Sequence, residues 1–289
     1  MAIIEPVIRP PAEATSFLLQ VTLGCSANDC DFCGAYLGKN FRIKNNEEIF
    51  KDIELARRRN PEIRKVFLLD GDALVVKNER ILPIFKKLNE AFPKLTRISS
   101  YANGYNITRR SLADLNALYQ QKLRLIYIGL ESGSQDVLDF CHKPSSAEEM
   151  IEAVQKAEQA HIKSSVIVLL GLGGRKCSSI HVAETIEALN KMQPTYLSFL
   201  SVMVIPGTPL HEKVRSQEFK ELNPDELLKE MHDIVKGLEL HKTIFRSNHA
   251  SNYLPLEGTF PKDKEKILNI LALALQGKVQ LRPEFLRGL

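Results

Sequence analysis

A regular alternation of short apolar runs with amphipathic stretches constrains the fold of this 289-residue chain more than any other feature. Strand-like runs stand at 17–23, 65–69, 96–100, 123–130, 164–170 and 196–204. Between them apolar residues recur at helical spacing: Ile49, Phe50, Ile53 and Ala56 in a helix from Asn46 to about Arg59, and Ile84, Phe85, Leu88 and Phe92 in one over 78–92. Leu112, Leu115 and Leu118 mark a third helix over 111–121, and others follow at about 146–160, 179–191, 223–240 and 263–276. The run 123–130 is almost continuously apolar, as a strand covered on both faces must be. Strand, helix, strand in steady succession implies a parallel sheet with right-handed crossovers, and six such units suit a partial barrel. A short seventh strand is expected at 243–245.

Composition narrows the class. A hydrophobic content of 44% and a charged content of 26% are those of an ordinary globular protein. The formal net charge of +4 neither demands nor excludes an anionic partner. The basic block Arg57-Arg58-Arg59 reads as a solvated helix face, so no nucleic-acid partner is expected. The start, MAIIEPVIRPPAEATS, lacks the features of a secretory signal, and no apolar run approaches bilayer length, so a cytoplasmic protein without a membrane partner is expected.

Cys25, Cys30 and Cys33 crowd into nine residues directly after the first strand-like run, where parallel α/β folds place their reactive groups. Structural zinc takes four protein ligands, whereas three cysteines on a [4Fe-4S] cluster leave one iron open to a ligand. The cysteines alone leave three readings open: the iron–sulfur cluster, zinc, or unligated thiols. Cys141 and Cys177 are too few for a second cluster and read as packing residues. Other polar or glycine-rich segments also fall at strand ends: Asp70-Gly71-Asp72, Ser99-Ser100-Tyr101 with Asn103, GLESGSQ at 129–135, Gly171-Leu172-Gly173-Gly174, and IPGTP at 205–209. Each has an ordinary alternative: a tight turn for Asp-Gly-Asp, a helix cap for Glu131, a strand-to-helix turn for the glycines. The loop RSNHASNY at 246–253 is dense in polar side chains and reads either as a cavity lining, with His249 able to move a proton near neutral pH, or as a solvated loop tied to its own backbone.

In order and position these segments resemble the radical S-adenosylmethionine (SAM) enzymes, and within them the elongator, methylthiotransferase and coproporphyrinogen-dehydrogenase types. Phe32 occupies the aromatic position of the cysteine loop, although four residues, not three, separate Cys25 from Cys30. The resemblance implies a partial TIM-type (β/α)6 barrel over 16–210, a lead at 1–15, and a helical C-terminal extension over 211–289 contributing to the substrate side. It implies a [4Fe-4S] cluster on Cys25, Cys30 and Cys33, with SAM held through Phe32, Asp70, Gly71, Asp72, Ser100, Glu131, Ser132, Gly171, Gly173 and Val204. Tyr101 and His249 become substrate-side candidates.

The implied reaction is reductive cleavage of SAM to methionine and a 5′-deoxyadenosyl radical that abstracts hydrogen from substrate. The wider cysteine gap raises the alternative of breaking the other C–S bond, for 3-amino-3-carboxypropyl transfer. The haem-carrying relatives raise that of a non-catalytic carrier. Implied partners are a small-molecule or peptide substrate and an electron donor such as flavodoxin or ferredoxin.

Overall fold

The computed structural model describes residues 3–288, so residues 1 and 2 of the expected lead and residue 289 of the expected extension lie outside the described residues. Strand β1 (Phe17–Gln20) is followed by a small antiparallel ribbon, β2 (Thr22–Leu23) with β3 (Arg42–Ile43), which brackets the cysteine loop in the chain. Then come α1 (Asn46–Arg59), β4 (Lys65–Leu69), α2 (Asn78–Ala91), β5 (Arg97–Tyr101), α3 (Gly104–Thr108), α4 (Leu112–Gln120) and β6 (Leu123–Glu131). The second half continues with α5 (Gln135–Phe140), α6 (Ala147–Gln159), β7 (Lys163–Leu170), α7 (Gly174–Met192), β8 (Tyr196–Ser201), α8 (Pro209–Arg215), α9 (Pro224–Gly237), β9 (Thr243–Arg246), β10 (Glu257–Phe260) and α10 (Lys264–Leu275).

Strand β1 and strands β4 to β10 follow one another through one sheet in chain order. Neighbours pair in parallel from β1 to β6 and from β7 to β9, and β10 turns back antiparallel on β9. This is the expected α/β architecture of the partial TIM-type barrel. The chain divides into two compact units, one of residues up to Asn28 with Ala35–Ile128 and Ala153–Ser164, the other of Asp29–Gly34, Gly129–Glu152 and residues from Ser165 onward.

Local chemistry explains the boundaries. Helix α1 opens on a capping box in which Asn45 accepts from the Glu48 N–H and Glu48 accepts from the Asn45 N–H. Arg57, Arg58 and Arg59 stand exposed in its last turn, where cations suit the helix dipole. Ser111 with Asp114 and Asn223 with Glu226 build the same box before α4 and α9. Strand β8 stops at Ser201, short of the expected 204, and IPGTP leads into α8, a helix not expected from the sequence, capped by Thr208 with Pro209 in the first turn. Helix α7 likewise begins at Gly174, directly on the glycine turn, and not at 179. Among the described residues no helix is long and apolar enough to cross a membrane.

Candidate cluster and cofactor site

The first unit carries Cys25 and the turn after β4. Gly71 donates its N–H to the Gly24 carbonyl at 3.1 Å, which draws the turn against the first cysteine. A Cβ at position 71 would lie 2.7 Å from the Cys25 Sγ, so only glycine permits this approach. The two flanking aspartates are both fully buried but differently engaged. Asp70, at φ 67°, pairs through Oδ1 with Lys39 Nζ at 2.8 Å and through Oδ2 with Gln20 Nε2 at 2.9 Å. Asp72 collects its donors on one oxygen: Oδ2 accepts from Ser26 Oγ, from Asn106 Nδ2 at 2.6 Å and from Tyr105 OH at 3.3 Å. Its Oδ1 is buried without a hydrogen bond, as is the Asn103 Nδ2. Burial raises the Asp72 carboxyl above its usual range, and its hydrogen bonds only partly oppose that.

On the neighbouring strand Ser100 is buried, and its hydroxyl donates to the Tyr101 carbonyl at 2.8 Å. The half-buried Tyr101 ring packs edge-on against Phe67, with centroids 5.2 Å apart, and tilts against Tyr127 at 5.8 Å.

The second unit carries Cys30 and Cys33, joined in a turn by the Cys33 N–H donating to the Cys30 carbonyl at 3.0 Å. Between them Asp31 is nearly fully buried and anchors the loop: its carboxylate meets His142 Nδ1 at 2.9 Å and Lys213 Nζ at 2.7 Å. Its N–H donates to the Cys141 carbonyl at 2.9 Å, and its carbonyl accepts from the Leu210 N–H at 3.1 Å. Phe32 and Val204 both pack on the apolar cluster of Val137, Cys141, Leu172, Val202, Leu210 and Phe219, so the aromatic position of the cysteine loop and the end of the sixth strand-like run share one surface. Burial pushes the Cys141 thiol up to about 12, as befits a packing residue. A Cβ on Gly34 would meet the Ile205 side chain at 2.8 Å, which fixes the far end of the loop against IPGTP.

Glu131 ends β6 at φ 62°, half-buried, with Lys143 Nζ 4.0 Å from its carboxylate. Burial raises its carboxyl and Lys143 opposes the rise. It does not cap the next helix, because α5 starts after Ser134 without a side-chain cap. Ser132 is buried, with its Oγ accepting from the Ser134 N–H at 3.0 Å and standing 2.8 Å from His181 Nδ1. Gly171, at φ 82°, donates its N–H to Glu230 Oε1 at 2.5 Å, and Gly173 caps α7 with no room for a side chain beside the Cys177 carbonyl.

RSNHASNY is part exposed and part buried: Arg246, Asn248 and Ala250 face outward, and His249 and Asn252 are tied to backbone within the segment. Ser247, Ser251 and Asn252 are fully buried, and Asn252 Nδ2 donates to the Phe199 carbonyl at 2.7 Å while its Oδ1 accepts from Ser201 Oγ at 2.8 Å. The His249 Nδ1 accepts from the Ser251 N–H at 3.1 Å, so the neutral ring carries its proton on Nε2. Burial, then Arg282, lower its pKa. The Nε2–H is thus the polar group that the neutral ring has left to offer.

Sequence reasoning passed over Ser26, Asp31, His181 and Glu230. Two of these had a signal: Glu230 falls on the buried stripe of α9 with Leu227, Met231 and Ile234, and His181 with Thr185 on that of α7 with Ala188, Leu189 and Met192. A polar residue at an apolar position is a buried polar group that must be satisfied.

The three thiols are half-buried. Among the described residues no set of three His, Cys, Asp or Glu side chains is gathered for a single metal ion. The chemistry of the residues fits a cluster with SAM on two counts: soft sulfur donors with a glycine held against the first, and a buried carboxylate oxygen lacking a partner, which suits an ammonium group.

Comparison with known proteins agrees. Residues 19–181 match the family model of the radical SAM superfamily. An uncharacterized methyltransferase of Pyrococcus horikoshii is 23% identical over 211 residues, covering 72% of this chain and 44% of that relative, so the chain spans less than half of the relative's length. The radical SAM methyltransferase TsrM of Kitasatospora setae, solved with cobalamin and a [4Fe-4S] cluster, superposes with a TM-score of 0.55 at 15% identity, over 70% of this chain and 39% of that one. Coproporphyrinogen III oxidase of Escherichia coli gives 0.55 at 14% identity, over 76% and 50%. With the family model covering more than half of its length, the chain belongs to the radical SAM superfamily, whose enzymes work with a [4Fe-4S] cluster and SAM.

Proposed function

We propose that the chain holds a [4Fe-4S] cluster on Cys25, Cys30 and Cys33 and cleaves SAM reductively to start radical chemistry on a small-molecule or peptide substrate. The observation that carries this reading is Asp72, a fully buried acid with one oxygen left without a hydrogen bond. When bound, the reduced cluster supplies an electron to the sulfonium of SAM, so that a C–S bond breaks to give methionine and a 5′-deoxyadenosyl radical, which takes hydrogen from substrate.

The chain's own residues orient and shield. Asp72 takes the ammonium of SAM, and the Glu131 carboxyl oxygens accept hydrogen bonds from ribose hydroxyls. Ser132 offers its hydroxyl, Gly171 and Gly173 hold the turn packed on the chain so that its backbone can border a flat ring, and Val204 backs that ring. Phe32, on the same apolar surface as Val204, keeps water off the loop. The core over 16–210 carries this machinery and 211–289 supplies the substrate side, with the His249 Nε2–H and Tyr101 as polar contacts. A flavodoxin or ferredoxin delivers the electron.

The methyltransferase relative supports a second reading, in which SAM also gives up its methyl group. The deciding experiment is to reconstitute the protein anaerobically, reduce it, add SAM and identify the nucleoside formed. Cysteine-dependent 5′-deoxyadenosine supports radical initiation, and S-adenosylhomocysteine beside it supports methyl transfer. Methylthioadenosine would redirect the reading to aminocarboxypropyl transfer, and zinc in place of a cluster would refute it.

A further inference from the structure

Behind the turns that follow β6 and β7 lies one buried pair, His181 on α7 and Glu230 on α9. The His181 Nδ1 is 2.8 Å from Ser132 Oγ, and its Nε2, which makes no hydrogen bond, is 3.5 Å from Glu230 Oε1. Glu230 Oε1 accepts the Gly171 N–H at 2.5 Å, and its Oε2 accepts the Ser178 hydroxyl at 2.5 Å. One helical turn beyond His181, Thr185 Oγ1 accepts the Gly133 N–H at 2.9 Å. A Cβ on Gly133 would lie 2.2 Å from the Glu184 carbonyl, so the 132–134 turn is pressed onto α7. One chain of contacts thus runs from Ser132 through His181 and Glu230 to Gly171.

The charged groups around this pair are matched among themselves. Arg175 pairs with Glu226 at 3.0 Å and Lys229 with Asp233 at 2.6 Å, and all four line, with Ser178 and Glu230, a cleft of about 530 Å³. His232 on α9 also faces Asp233, at 3.0 Å, and Glu131, next to Ser132, faces Lys143. Within the pair, burial pulls the imidazole down to about 4 and pushes the carboxyl up to about 7, against the pull of Ser178 and Gly171.

We propose that His181 and Glu230 are positioning residues that share a proton and thereby set the direction of the Ser132 hydroxyl toward SAM. The inference rests on the reading given under Proposed function. With a proton on Glu230, the carboxyl donates to His181 Nε2 and the Nδ1–H donates to Ser132 Oγ. That oxygen already accepts the Ser134 N–H, so its own O–H is released to donate to a ligand. With Glu230 ionised, the ring carries its proton on Nε2 to face the carboxylate, Nδ1 becomes an acceptor, and the Ser132 O–H turns back into it. The ligand then loses a donor as pH rises through the carboxyl's titration.

Two measurements on the oxidised, cluster-loaded protein test this. Nitrogen-15 shifts of the His181 ring, assigned by their disappearance in His181→Gln, report the tautomer without SAM. A change from Nδ1–H to Nε2–H between about pH 6 and about pH 8 is expected, and one tautomer throughout would overturn the proposal. SAM affinity, by equilibrium dialysis over the same range, should fall about tenfold in the wild type, the worth of one hydrogen bond. In Glu230→Gln, whose amide oxygen must take the place of Oε1 to go on accepting the Gly171 N–H and so faces His181 Nε2 as an acceptor at every pH, affinity should stay flat at the wild type's high-pH value. The same slope in Glu230→Gln as in the wild type overturns the proposal. A tautomer change in a protein that binds no SAM at any pH would uphold the brace and refute the cofactor reading.

Discussion

The turn after β4 and the pair behind the later turns both bury carboxylates, but they settle the charge in different ways. At Asp70 a fixed cation does it: Lys39 is itself buried, and the ion pair is complete within the chain. At Glu230 no cation is at hand, and burial moves the carboxyl into the range where a proton can come and go. Asp72, two residues from Asp70, falls between these cases: it has hydrogen-bond donors on one oxygen and no hydrogen bond on the other, and the cation that feels its charge, Arg110, is bonded instead to the Asn106 and Val76 carbonyls. A buried charge with its own counterion holds the fold together, whereas one without awaits a ligand or a proton.

Substitutions at these acids can break that distinction. The largest effect is expected at Asp70→Asn, which leaves Lys39 buried and unpaired and should cost about 3–5 kcal/mol of stability in denaturant titration. Asp72→Asn should do the opposite: SAM binding weakens by about 100-fold, as expected for loss of a buried, hydrogen-bonded charge pair, while the melting temperature holds or rises because a desolvated charge is gone. If the two variants behave alike, the distinction fails.

The pH dependence of stability sharpens the comparison at Glu230. Its carboxyl is raised from 4.5 to about 7 in the fold, so the folded protein keeps a proton that the unfolded chain releases in that window. Stability therefore falls as pH rises between those values. Wild type should lose on the order of 2 kcal/mol relative to Glu230→Gln across it, read as the difference in their melting curves. The smallest effect is expected at Lys213→Met: Asp31 keeps His142, so about 1–2 kcal/mol is lost, with weaker retention of iron after dilution.

The strand order was legible because the apolar runs are short, regular and, at 123–130, buried on both faces, which only a covered parallel sheet permits. The cysteine loop was legible from its spacing. The division of labour between Asp70 and Asp72 was not, since it depends on Lys39 and Gln20 reaching one carboxylate and not the other, a long-range matter that no local pattern carries. The composition of RSNHASNY did not separate its two readings: Ser251 and Asn252 are buried because they satisfy groups at the end of β8, whereas Arg246 and Asn248 stand exposed. Helix α8 was missed although Thr208-Pro209 is a cap followed by a first-turn proline, because the same residues also spell a turn.

The central claim is that three cysteines hold a cluster with one iron open to SAM, and that Asp72 steadies SAM there. Electron paramagnetic resonance of the reduced, reconstituted protein, recorded with and without SAM, tests it most directly. A four-iron signal that changes on adding SAM is expected in the wild type, with a much weaker response in Asp72→Asn and no signal when Cys25, Cys30 and Cys33 are replaced by Ala. A wild-type signal indifferent to SAM, or the absence of a cluster after reconstitution, would contradict the account.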